Sequence, residues 1–150
     1  MTANISNESE YTSGHGPMYA NRRSLPEFYL YHKTHLNAAV FKQLIDNSLP
    51  HGLVIMYLMK NMRYRAVMQD AIQHEFDIDW YKGLMHRNTA PKALRELCDM
   101  NIIRNVSQSR KCRRYYVNPY IFHVMTIKQC NEYFYEYDDL NILFGPILLG

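Results

Sequence analysis

The chain has 150 residues, of which 47% are apolar and 21% charged, with a formal net charge of +3; that suits one domain with extensions and a proper core. Its three cysteines, Cys98, Cys112 and Cys130, have no close-pair spacing, which argues against a disulfide framework and points to a reducing compartment. The longest apolar run, residues 53–59, is far shorter than the ~20 residues that span a bilayer, and no apolar leader opens the chain, so the expectation is a soluble cytoplasmic protein without a membrane partner.

Residues 1–24 are rich in Asn, Ser, Thr, Gly and Glu. They have little to bury and are expected to form a flexible arm. Arg22 and Arg23 close that arm, most simply as solvated charge. The aromatic stretch 27–32 fits a strand or an extended segment lying on the core. Over residues 36–47, Ala39, Val40, Leu44 and Ile45 recur on one side and Phe41 widens it, which predicts a helix ended by Ser48-Leu49-Pro50. Residues 51–62 are apolar all round through 53–59 and predict a helix buried in the core. Residues 64–76 are ambiguous: 65–69 fit a short strand, and the continuation through Ile72 and Phe76 fits a helix. Residues 77–85 predict a further helix. Asp77 and Asp79 suit its positive end, and Ile78, Tyr81, Leu84 and Met85 form an apolar face with Trp80 packed on it.

His86-Arg87-Asn88 then reads as a turn, and 89–100 as a second helix. Asn88 or Thr89 is positioned to cap it, and Pro91 sits in the first turn, where its missing N–H costs nothing. Ala90, Ala93, Leu94, Leu97 and Met100 make one apolar stripe; Lys92, Arg95 and Asp99 lie on a different face, with Glu96 at its edge. Asn101 tolerates the left-handed conformation that closes a helix. A strand over 102–106, a turn at Ser107-Gln108-Ser109 and a return strand through Tyr115, Tyr116 and Val117 follow, stopped by Asn118-Pro119. Residues 120–128 fit a strand or a short helix.

After residue 130 there is no Lys or Arg, while Glu132, Glu136, Asp138 and Asp139 are acidic. The end of the chain, with Leu140, Ile142, Leu143, Phe144, Ile147, Leu148 and Leu149, is strongly apolar. Such an end either tucks into its own core or docks on another chain. A homodimer through residues 140–149 is the expectation, and residues 53–59 are the intramolecular alternative seat.

The charge is local. From residue 87 to 114 the basic residues are Arg87, Lys92, Arg95, Arg104, Arg110, Lys111, Arg113 and Arg114, against only Glu96 and Asp99. A basic run is commonly a solvated face. Here it accompanies helix, turn, helix and basic hairpin in the order of a winged helix-turn-helix, which puts Arg87, Asn88, Thr89, Lys92 and Arg95 at base edges and Arg110, Lys111, Arg113 and Arg114 at phosphates. No Gly-rich phosphate loop, paired Cys motif or His-Glu-x-x-His is present, so no cofactor, metal or catalytic residue is assigned. His32 and His35, three apart, lack an evident third ligand. Asp70, Glu75, Asp77 and Asp79 admit a metal-dependent nuclease as an alternative, although capping and solvation explain them more simply. Tyr115 and Tyr116 read as strand residues, one inward and one outward.

Residues 51–122 resemble the winged-helix domain of small plasmid and phage replication initiators. The resemblance is carried by Thr89-Ala90-Pro91-Lys92-Ala93-Leu94-Arg95-Glu96-Leu97 before Asn101-Ile102-Ile103, and by Tyr115-Tyr116-Val117-Asn118-Pro119-Tyr120-Ile121-Phe122. It covers about half the chain. It implies sequence-specific double-stranded DNA binding at an origin or operator, without catalysis. The tyrosine-rich, acidic and then apolar C-terminus departs from that pattern. A structural or adaptor role in a virus or plasmid, using the same fold for protein contacts, is a further alternative. The expected architecture is mostly α with a small β-hairpin wing (α+β): an arm at 1–24, a winged-helix domain with preceding helices at 25–128, and an acidic then apolar tail at 129–150.

Overall fold

A computed structural model describes residues 29–31, 34–136 and 144–149. The expected arm, Arg22 and Arg23, His32, and the tail residues Asp138, Asp139, Leu140, Ile142 and Leu143 lie outside the described residues. Two strands, β1 (Tyr29–Tyr31) and β2 (Thr34–Leu36), precede the first helix, α1 (Ala38–Asn47). The Asn37 side chain caps α1 by accepting from the Val40 N–H at 3.3 Å. Its amide also donates to the Tyr120 carbonyl at 3.0 Å, which fastens the start of α1 to a corner far along the chain. Ser48 then turns extended, with φ −158°, and α2 (Leu49–Asn61) begins with Pro50 in its first turn. As its all-round apolarity predicts, α2 is a core helix, with Val54, Ile55 and Leu58 fully buried. Gly52 lets it approach α1 closely, since a methyl there would overlap Ile45 Cγ1.

The ambiguous region resolves into one helical turn, α3 (Met68–Ala71), and a strand, β3 (Gln73–Glu75). The strand lies later than the 65–69 alternative. Burial explains the placement: Arg65, Ala66 and Val67 are exposed, whereas Ala71, Ile72 and Phe76 are buried.

The expected helix over 77–85 does not form. Consecutive turns replace it, closed by Trp80 N–H to Asp77 O, Lys82 N–H to Asp79 O and Leu84 N–H to Tyr81 O. Gly83 has φ +79°, and Ile78, expected on the apolar face, is 74% exposed. The segment is anchored by Trp80 instead. Its ring meets Phe76 edge-on at 5.0 Å and Tyr57 at 5.4 Å. Too few apolar residues share one side here to hold a helix face against the core.

Helix α4 (Thr89–Asp99) buries Ala90, Ala93, Leu94 and Leu97, as the stripe requires. Its cap differs from the expectation. Asn88 is helical in φ and ψ and makes no side-chain capping bond. His86 serves instead: its carbonyl accepts from the N–H groups of Thr89 and Ala90, and its Nδ1 accepts from the Asn88 N–H. The other end follows expectation. Asn101 has φ 62°, with Asn101 N–H to Cys98 O and Ile102 N–H to Leu97 O, a Schellman closure.

Strands β4 (Ile103–Asn105) and β5 (Arg114–Val117) enclose the basic turn. They join β3 in an antiparallel sheet of order β3-β5-β4, in register Gln73↔Tyr116 and Arg104↔Tyr116. Tyr115 and Tyr116 point to opposite faces, but neither is fully outward. Tyr115 packs on the main core, and Tyr116 on a second cluster of Ile72, Met125, Cys130, Tyr133 and Phe134. The sheet thus has a core on each face. Strand β6 (Phe122–His123) pairs with β2, giving a second sheet of order β1-β2-β6. The capping box of Thr126 and Gln129 then starts α5 (Ile127–Asn131), which runs into one π-helical turn, Glu132–Glu136. The architecture is α+β, with short helices and small antiparallel sheets. Among the described residues, no helix is long and apolar enough to cross a membrane.

Residues 144–149 lie on their own chain. Phe144 is buried, Ile147 and Leu149 pack on the main core, and Leu148 N–H donates to Met100 O at 3.0 Å. Asn101 Nδ2 donates to Pro146 O at 2.7 Å. The seat is beside the C-terminus of α4.

Candidate nucleic-acid interface

The amphipathic spacing of α4 dictates what it leaves in water. With Ala90, Ala93, Leu94 and Leu97 turned inward, Pro91, Lys92, Arg95 and Asp99 are exposed. The strand pairing places the turn between β4 and β5 opposite one flank of that helix. Ser107 shapes the turn: its N–H donates to Asn105 Oδ1 at 2.9 Å, and its hydroxyl accepts from Arg114 N–H at 3.0 Å. Cys112 N–H to Ser109 O tightens the tip. Phe76 N–H to Arg113 O ties the turn to the residue after β3.

Between helix and turn lies a groove of about 480 Å³. Its charged lining is Arg87, Arg95, Arg110 and Arg113 against the single carboxylate of Asp99. Aromatic surface from Trp80, Tyr81 and Tyr115, and the hydroxyls of Ser107 and Ser109, complete the lining. Guanidinium groups stay charged at all relevant pH values and present a planar fork suited to phosphate oxygens. The groove's other titratable groups are uncharged near neutrality: burial pushes both the Cys98 thiol and the Tyr115 phenol up. Its positive character is therefore insensitive to pH.

The residues singled out from the sequence separate into three groups. Arg87, Arg95, Arg110 and Arg113 come together in the groove. Asn88, Lys92 and Lys111 are exposed outside its lining, and Thr89 is half-buried as the first residue of α4. Arg114 is engaged elsewhere. Across the β3–β5 register Glu75↔Arg114, its Nη2 donates to Glu75 Oε1 at 2.9 Å. Arg104, counted in the basic run, carries its guanidinium carbon 4.9 Å over the Phe144 ring.

Glu96 does not offset the groove's charge. Its carboxylate accepts from His51 Nε2 at 2.9 Å, joining α4 to α2. That hydrogen bond holds the carboxyl below its ordinary value, helped by the charges of Lys92 and Arg95. Neither this pair nor the groove's aromatic lining was evident in the sequence; both depend on which elements pack together.

The alternative metal reading gains no geometry. Glu75 is paired with Arg114, Asp79 lies 3.7 Å from Lys82, and Asp70 accepts from Gln73. Among the described residues, no group of three or more His, Cys, Asp or Glu is arranged to hold a metal ion. His35 stacks on His123 at 4.8 Å, inside the fold. All three cysteines are free. No protein-family model matches the chain, and neither curated proteins nor solved structures give a match.

Proposed function

We propose that the chain binds double-stranded DNA through a winged helix-turn-helix, as a replication initiator of the plasmid or phage kind or as a transcriptional regulator. The order α2, β3, turns, α4, β4, basic turn and β5, with the sheet order β3-β5-β4, supports the winged-helix reading. In this reading 77–85 takes the place of the first helix of the pair, and α4 is the recognition helix. The observation that carries the proposal is the groove between α4 and the basic turn, with four arginines facing one carboxylate. A duplex backbone supplies the phosphates such a surface lacks, and the exposed Lys92 and Arg95 on α4 would reach base edges. A two-fold duplex site would engage two copies of the chain. Because Phe144, Ile147 and Leu149 pack on their own chain, the contact between copies is not placed on them.

Selection of bound sequences from a random duplex pool tests the proposal. The wild-type chain should enrich a shared motif, and Lys92→Ala or Arg95→Ala should relax preference at particular positions, by ~1–3 kcal/mol if either contact is bidentate. A pool that stays random after repeated rounds would refute sequence-specific binding.

A further inference from the structure

A second concavity shares no lining residue with the basic groove. It is bounded by β2, α1, the C-terminal half of α2 and the residue after β6. Its volume of about 730 Å³ falls in the range of small-molecule sites, roughly 300–1,000 Å³. The walls are apolar, built from Leu36, Phe41, Met56, Met59 and Val124. Methionine adapts its shape to irregular apolar partners. Met56 is 51% exposed, and Tyr64, also in the lining, is 54% exposed, so large apolar area is left in water at this place.

Lys60 and Arg63 stand on the rim. Arg63 Nη1 donates to the Lys60 carbonyl at 3.1 Å, which holds the guanidinium beside the last turn of α2. Lys42, Lys82 and Arg114 each pair with a carboxylate; among the described residues, Lys60 and Arg63 do not. Two cations without counter-charge at the edge of an apolar recess match a molecule with one anionic head and one hydrocarbon tail. A recess of this size accepts a single chain, whereas a bilayer surface calls for a projecting apolar face.

We propose that this groove binds a monomeric long-chain fatty acid, its carboxylate opposite Lys60 and Arg63 and its tail along Phe41, Met56 and Met59. Calorimetric titration of the full chain with dodecanoate below its micelle concentration tests this, beside dodecanol, dodecyltrimethylammonium and mixed phosphatidylcholine–phosphatidylglycerol vesicles. Dodecanoate should bind saturably, one per chain, and more tightly than either other amphiphile. Each methylene added between decanoate and dodecanoate should tighten binding about fourfold, as expected for a buried CH₂. The double variant Lys60→Glu, Arg63→Glu should weaken dodecanoate about tenfold or more through loss of charge-assisted contacts, leaving dodecanol unchanged. Met56→Glu, on the exposed wall, should weaken both. Equal binding of dodecanoate and dodecanol, binding to vesicles alone, or no saturable uptake by the full chain would each overturn the proposal. None of these outcomes bears on duplex binding, because the two surfaces share no residue.

Discussion

Arg110 and Arg114 belong to one basic run in the sequence, but their surroundings differ. Arg110 lines the groove, while the Arg114 guanidinium is held by Glu75 at 2.9 Å. Only a group without a protein counter-charge releases the full electrostatic gain on meeting a phosphate. Arg110→Ala should therefore lower the salt slope of duplex binding by about 0.9, and Arg114→Ala should leave it nearly unchanged. Equal losses measured by fluorescence anisotropy would count against the groove as the contact surface. Glu96 gives a pH prediction of definite sign. Its folded value lies below the ordinary 4.5, chiefly through the hydrogen bond from His51. The contribution to stability is thus complete above that ordinary value and is lost as pH falls through the lower folded one. Glu96→Gln should flatten the acid-side decline in stability, as read by urea midpoints between about pH 3 and pH 6. An unaltered profile would show that the pair contributes nothing. The sequence shows Glu96 at the edge of the apolar stripe, but its partner is 45 residues away and becomes visible only when α2 meets α4.

The elements were legible where one physical rule dominates. The stripe of α4, the left-handed Asn101 after it, and the Asn118-Pro119 stop after β5 all follow from local chemistry. Segment 77–85 was misread because its apolar residues fit a helical period that the fold does not use. The decisive contact is Trp80 against Phe76 and Tyr57, and Gly83 keeps the chain turning. Strand β3 was placed too early because 65–69 has strand-like composition but no partner; the ladder to β5 selects Gln73–Glu75. The α1–α2 packing gives an element-scale prediction. Gly52→Ala gains about 1 kcal/mol of helix propensity, but the methyl strikes Ile45 Cγ1, and overpacking costs ~1–3 kcal/mol. The net effect should be a loss of up to about 2 kcal/mol in chemical denaturation. A stabilised variant would mean that the two helices part without cost.

At the scale of the whole molecule, one three-stranded sheet separates two apolar clusters, and residues 144–149 extend the larger one. Removing residues 144–150 should uncover the main core beside Met100 and cost about 2–5 kcal/mol, the range for losing large buried side chains. Light scattering should show no change in the number of chains per particle. A stable truncated chain of halved mass would instead make the tail an intermolecular arm. The tail's apolar character is plain in the sequence, but its seat beside the end of α4 depends on Asn101 and Met100 offering bonds to residues 146 and 148. The central claim is that the arginine groove between α4 and the basic turn meets DNA phosphates. Titration of a short labelled duplex at several salt concentrations tests it, comparing the wild-type chain with the folded Arg87→Ala, Arg95→Ala, Arg110→Ala, Arg113→Ala variant. The account predicts linear log–log salt dependence for the wild type and a slope smaller by up to about 3.6 in the variant, about 0.9 per lost phosphate contact. An unchanged slope in the folded variant, or no duplex binding by the wild type at low salt, would contradict it.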